Sequence, residues 1–312
     1  MSVNLTINNY NGSSGSSTTS TPASTSLAPR VRNGTADVNN SYPTVGIALL
    51  YKRNLNGDLV WSFDYGSCTQ ISTTKVVTAG HVTYGFGANE GKIEWIEILF
   101  DYDIEARIVA QEAYEVATYG EVRWYKTTGW ADLGGPTYTH PEYDVNAFYT
   151  HDVGVVLSDG RSNAYTASVN PAKFGVPTNV GSMTNWTSDM TNIQFDVVGY
   201  GATGFKANSY STPFTKNIAH PYLFKINEST TQSQGFISDF AFQTKVDKDD
   251  GSTMPGDSGG PCFRKDTLEI LGVTSYAINK PSRGVNGFFR LDKADVREFI
   301  ADPTSGLFNG VI

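Results

Sequence analysis

From Tyr42 onward the chain is a succession of short apolar runs cut apart by turn residues, and that punctuation leaves room for little except antiparallel β structure. "TVGIALLY", "KVVTAGHV", "WIEILF", "DVGVVL", "FDVVGYG", "PYLFKI", "EILGVTSYA" and "GFFRL" are rich in Val, Ile, Phe and Tyr, the branched and aromatic residues that suit a pleated surface. The one clear helical period lies near the end, in "LDKADVREFIADP". Asp292 suits an N-cap there, Val296, Phe299 and Ile300 share a face, and Pro303 stops the run. Many short strands indicate antiparallel sandwiches or barrels, and 312 residues accommodate two barrels better than one.

Residues 1 to about 29 are of a different texture, Ser, Thr, Asn and Gly with almost no aromatics. Such a segment buries too little apolar surface to offset its ordering entropy, so a flexible arm is expected. Sequons at Asn4, Asn11, Asn33, Asn39, Asn185 and Asn227 would carry carbohydrate in a glycosylating host. The net charge of −8 argues against a general nucleic-acid or anionic-membrane binder. No apolar run approaches the ~20 residues of a membrane span, and the sequence given shows no basic start followed by an apolar stretch, so no secretory signal is visible.

Cys68 and Cys262 are the only cysteines, so neither a disulfide framework nor a zinc site, which needs about four clustered ligands, is expected. Both a bridge between them and two buried thiols remain open. The four histidines (His81, His140, His151, His220) are far apart and show none of the short metal-ligand spacings. In "DKDDG" the glycine comes one place too early for a calcium loop and no glutamate follows at the required offset. Neither a metal nor a cofactor is expected.

Three segments stand out for chemistry. "VVTAGHV" places His81 at the end of a strand, "YTHDVGVVL" places Asp152 at the start of one, and "PGDSGGPC" places Ser258 in a glycine-rich turn. A serine hydroxyl is a poor nucleophile until a neighbouring base takes its proton, and that base needs a partner to fix its tautomer. A histidine after a strand or an aspartate opening one is ordinarily structural. A chance match to GDSGGP is rarer, on the order of 10⁻⁵ to 10⁻⁴ in such a chain.

"TAGH", "HDVGVV" and "GDSGGP", in the order His, Asp, Ser, resemble the chymotrypsin/trypsin-like serine proteases. Further similarity lies in "RVRNGTADVNNSYPTVGIAL", "HPEYD", "VVGYGATG", "GVTSYA" and "NGFFRL", so the resemblance covers roughly residues 31 to 301. It implies an all-β fold of two six-stranded antiparallel barrels with a short C-terminal helix. Residues 1–30 would form the arm or pro-segment, 31–165 the first barrel with His81 and Asp152, and 166–312 the second with Ser258. It also implies an oxyanion hole from the amides of Gly256 and Ser258. Activation would follow cleavage at Arg30–Val31, the new amino group of Val31 pairing with Asp257.

By the same resemblance Ser252 lies at the base of the primary pocket, where an uncharged residue suits apolar or aromatic side chains. A local shift bringing in Asp250 would reverse that preference. Ser275, Tyr276 and Ala277 would pair with the substrate backbone, and Gly287 would line the pocket wall. Val82 and Met254 stand where family half-cystines are common, and the segment from Val82 to Thr139 is longer than usual. The implied function is a secreted, monomeric serine endopeptidase acting on protein or peptide substrates, with no nucleic acid and no membrane span. A non-catalytic, protein-binding relative is the competing class, and such relatives usually lose a triad member.

Overall fold

A computed structural model of the protein describes residues 34–85, 92–144, 151–158, 179–202, 204–206, 209–211, 214–226, 241–246, 251–278 and 284–305. The proposed cleavage site, Asp250 and the boundary at residue 165 lie outside the described residues. After a short β1 (Thr35–Ala36), six strands close into an antiparallel barrel. These are β2 (Val45–Arg53), β3 (Leu59–Gln70), β4 (Lys75–Thr78), β5 (Trp95–Leu99), β6 (Leu133–Thr139) and β7 (Gly154–Leu157), in the order β2-β3-β4-β7-β6-β5. Ile47, Leu49, Val76, Ile96, Ile98 and Val155 are at most 1% exposed. Removing their apolar area from water, at roughly 25 cal/mol per Å², is what closes the sheet on itself.

The second half is a nine-stranded sheet. It contains β8 (Asn179–Val180), β9 (Phe195–Gly199), β12 (Asn217–Ala219), β13 (Leu223–Ile226), β14 (Ala241–Val246), β15 (Pro261–Arg264), β16 (Glu269–Ile278) and β17 (Gly284–Arg290). The order is β1-β12-β9-β15-β16-β17-β14-β13, with β8 against β16. A separate hairpin joins β10 (Gly204–Lys206) to β11 (Ser209–Ser211). The long sheet curls back on itself. Leu223 N donates to Ile193 O at 2.8 Å and Phe195 N to Pro221 O at 2.9 Å, so the entry to β13 meets the entry to β9. Phe195, Phe242, Leu271 and Phe288 fill the space enclosed. The expected pair of barrels is therefore one regular barrel and one curled sheet closed by irregular bonds.

Two local expectations need correcting. Helix α3 (Ala294–Ala301), after α1 (Gly80–Tyr84) and α2 (Ile104–Tyr119), buries Val296, Phe299 and Ile300 as expected, but its N-cap is Lys293. Asp292 is otherwise engaged: it accepts from Arg290 Nη2 at 2.7 Å and from Met183 N at 2.8 Å. The 16-residue α2 was not expected at all. It begins on Asp103, whose side chain accepts from Ala106 N at 3.0 Å, and ends on Gly120 in the left-handed region at φ 78°. Its buried face carries Arg107, Gln111 and Glu115 beside Ile104 and Ile108, while Val109 and Val116 are exposed. Polar groups inside and apolar ones outside erase the usual stripe. Arg107 sits between Asp101 and Asp132, and Glu115 accepts from Gln111 Nε2 and from the amides of Arg123 and Trp124.

Cys68 and Cys262 are both free and fully buried, in β3 and β15. Burial pushes both thiols up, so they pack as small apolar groups.

Candidate active site

Strands β4 and β7 are antiparallel neighbours with Thr78 opposite Gly154. That register brings the residues just beyond each strand end together, although they are distant in sequence. His81 lies in α1, which follows β4, and Asp152 lies two residues before β7 begins. His81 Nδ1 is 3.1 Å from Asp152 Oδ1 and 3.0 Å from Oδ2. Asp152, 0% exposed, also accepts from the His81 backbone amide at 2.8 Å and from Ser275 Oγ at 2.5 Å. Three donors thus converge on one buried carboxylate. With the Nδ1 proton directed at that anion, Nε2 keeps its lone pair and can act as a base.

Ser258 occupies a turn built by two left-handed glycines, Gly256 at φ 97° and Gly259 at φ 80°. A Cβ on Gly259 would overlap Thr78 Oγ1 and come within 2.7 Å of the Ala79 amide. The turn is therefore pressed directly onto the strand end that leads to His81. Ser67, on β3, secures it: its amide donates to Ser258 O at 2.8 Å and its hydroxyl to Gly256 O at 2.9 Å. Within the turn the amides of Asp257, Gly259 and Gly260 are spent on Met254 O, Thr274 O and Asp257 O. Among the described residues the amides of Gly256 and Ser258 donate to nothing, and Ser258 Oγ makes no hydrogen bond to His81. The structure thus joins His81, Asp152 and Ser275 in one hydrogen-bonded unit and packs the Ser258 turn beside it without closing the last bond.

The sequence profile of the family described as Trypsin matches residues 53–294. The chain belongs to the trypsin family. Solved structures share the trypsin-family fold at low identity. HL collagenase aligns at 16% identity and a TM-score of 0.56, covering 83% of this chain and 93% of that one. The scabies mite inactivated protease paralogue S-D1 gives 16% and 0.56, covering 88% and 98%. Neuropsin, a serine protease of mouse brain, gives 14% and 0.52, covering 87% and 99%. No curated protein sequence matches the chain.

Next to Ser258 in this trypsin-family chain, Asp257 is 1% exposed. Its carboxylate fits only because two residues facing it lack side chains: a Cβ on either Gly199 or Gly201 would overlap it. It accepts from Gly201 N at 2.7 Å and Met254 N at 2.8 Å. Burial raises its pKa to about 7, against the lowering effect of those two bonds. Among the described residues no cation faces it.

Ser252 is fully buried, and the residues organising it went unseen in the sequence. Asn286 Oδ1 accepts from Ser252 Oγ at 3.3 Å, Thr253 N at 2.9 Å and Thr253 Oγ1 at 3.0 Å, while its Nδ2 donates to Thr244 Oγ1. A lone Asn inside the apolar strand "GVNGFFR" was the available signal, since a buried amide must find partners. Gly287 lies under the ring of Tyr276, which a Cβ there would overlap. Tyr276 OH accepts from Gln243 Nε2 at 2.9 Å. Ala277 is exposed on the same strand.

Proposed function

We propose that this protein is a serine endopeptidase that cleaves peptide bonds through an acyl-enzyme. Ser258 is the nucleophile, His81 takes its proton and later returns one to the leaving amine, and Asp152 orients His81 and stabilises its cation. The observation that carries this reading is the buried Asp152 carboxylate held against His81 Nδ1. The uncommitted amides of Gly256 and Ser258 suit the developing oxyanion, where losing one donor typically costs ~10²–10³ in rate. The test is an organophosphonate serine probe applied to chain cleaved at Arg30–Val31. Labelling of the wild type and none of Ser258→Ala is expected. Equal labelling of both, or none of the folded wild type, overturns the assignment.

A second reading is a non-catalytic protein-binding relative. The lack of a hydrogen bond between Ser258 Oγ and His81 among the described residues favours it. The same probe separates the two, because a non-catalytic relative leaves Ser258 unlabelled.

Substrates are proteins or peptides. Ser252, Thr253 and Asn286 give the pocket base hydrogen-bonding capacity without charge, which disfavours Lys and Arg in the primary site and suits neutral side chains. Ser275, Tyr276 and Ala277 offer backbone to an extended substrate. Ser275 has a second role through its hydroxyl, as a positioning residue for Asp152. Ser275→Ala is expected to lower kcat by about 10- to 100-fold, since a hydrogen bond to a charged group contributes about 1.5–3 kcal/mol. KM should hardly change, because the backbone that meets substrate stays in place. A loss confined to KM would contradict the positioning role. We further propose, from the family resemblance, that the protein acts outside the cell as a monomer. Among the described residues no helix is long and apolar enough to cross a membrane.

A further inference from the structure

We propose that Glu142, His151 and Asp295 form a binding site for a divalent cation of the zinc class, on the far side of the turn that carries Asp152. The three come from separate parts of the chain: the turn after β6, the residue preceding Asp152, and the first turn of α3. His151 Nε2 lies 3.0 Å from Asp295 Oδ2 and 3.2 Å from Glu142 Oε2, and the three ligand atoms are all within 4.8 Å of one another. In a tetrahedral zinc site with bonds of ~2.0–2.1 Å to nitrogen and oxygen, neighbouring ligand atoms are about 3.3 Å apart. The spacing seen here needs only a small opening to admit an ion.

Geometry and charge point the same way. The His151 side chain is 9% exposed and its ring stacks on His140 at 4.7 Å and 15°, so its orientation is fixed with Nε2 turned toward the two carboxylates. Glu142 and Asp295 are 68% and 40% exposed, which leaves an approach for the ion and a fourth position for water. His140 accepts from the Glu142 amide through Nδ1 at 3.2 Å and so helps hold the Glu142 turn. A proton on His151 offsets only one of the two carboxylate charges. A divalent ion on neutral imidazole offsets both. Sequence spacing could not show this set, because the expectation of no metal rested on ligands close together along the chain.

Binding would also act on the candidate active site through the backbone. His151 sits at φ 49°, a left-handed conformation, and its carbonyl accepts from Val153 N at 2.7 Å across Asp152. An ion tying His151 to α3 fixes the tight turn from which Asp152 projects.

The test uses untagged full-length Ser258→Ala protein, so that autolysis plays no part, stripped with chelator and titrated with Zn²⁺ by calorimetry. One equivalent is expected to bind, and Glu142→Gln and Asp295→Asn should each weaken it at least ~10-fold, the scale on which even supporting residues of metal sites act. Zn²⁺ should raise the melting temperature of the parent and leave that of the double variant unmoved. Both positions are solvent-exposed, so the variants are expected to fold, and their unliganded melting curves verify it. Failure of the parent to bind zinc, or equal affinity in the double variant, overturns the proposal. Neither outcome depends on whether the protein is a protease.

Discussion

Ser258→Ala is expected to lower kcat on a cleaved peptide by about 10⁶, and Asp152→Asn by about 10⁴, when measured on chain cleaved at Arg30–Val31. The first figure follows from removing the only hydroxyl in the turn that His81 could activate. Water would then have to attack the peptide unaided except by binding and by the Gly256 and Ser258 amides. The second follows from the geometry around residue 152. An asparagine there presents one oxygen and one NH₂ to partners that are all donors now: His81 N, His81 Nδ1–H and Ser275 Oγ. If the oxygen keeps the backbone amide, the NH₂ faces Nδ1, and the imidazole proton moves to Nε2. The nitrogen that should accept from Ser258 then carries a proton. A double variant should be no worse than Ser258→Ala alone, because the residues act as a unit. Retention of more than about a hundredth of wild-type kcat by Ser258→Ala would place the nucleophile elsewhere.

The barrel strands were readable because Val, Ile and Phe mark them locally. Each of the quoted runs contributes to a strand, from "TVGIALLY" in β2 to "GFFRL" in β17. Helix α2 was not readable from periodicity, because its inner face holds Arg107, Gln111 and Glu115, whose burial depends on Asp101, Asp132 and the amides beyond Gly120. Its punctuation was present all along, Asp103 at one end and Gly120 at the other. In the candidate site, His81, Asp152 and Ser258 were identifiable from their motifs. Ser67, Asn286 and the hydroxyl of Ser275 were not, since each owes its place to a partner on a distant strand. Asp292 misled for a related reason: an aspartate before a helix reads as a cap, and here Arg290, two residues earlier, engages it first.

Arg30→Gln, which blocks the proposed cleavage, is expected to leave activity at least ~10² below that of the cleaved chain. The reason is Asp257. In the uncut chain its carboxyl is buried with a pKa of about 7, so near neutrality it is caught between an unpaired charge and a proton. Thr35 pairs with Ile218 of β12, which pairs with Val198 of β9, next to Gly199 beside Asp257. Two strand spacings are ~10 Å, and the four residues from Val31 to Thr35 can span ~13 Å. The new amino group is thus within reach. Once paired there, it would hold the turn that presents the Gly256 and Ser258 amides, and breaking such a buried pair costs about 3–5 kcal/mol, or ~10²–10⁴ in population. The same group predicts a pH signature. Below pH 3.8, the ordinary value of a free aspartate, the unfolded and the folded uncut chain both keep the proton. Between there and about 7 only the folded chain keeps it, so stability falls as pH rises, by about 4 kcal/mol in all. Pairing with the amine returns Asp257 to its charged form and removes that fall. Thermal melts of Ser258→Ala protein, uncut and cut at Arg30–Val31 by another protease, should coincide near pH 4 and separate by pH 7.5, with the cut form more stable. Equal melting at both pH values would mean that the released amino group never reaches Asp257.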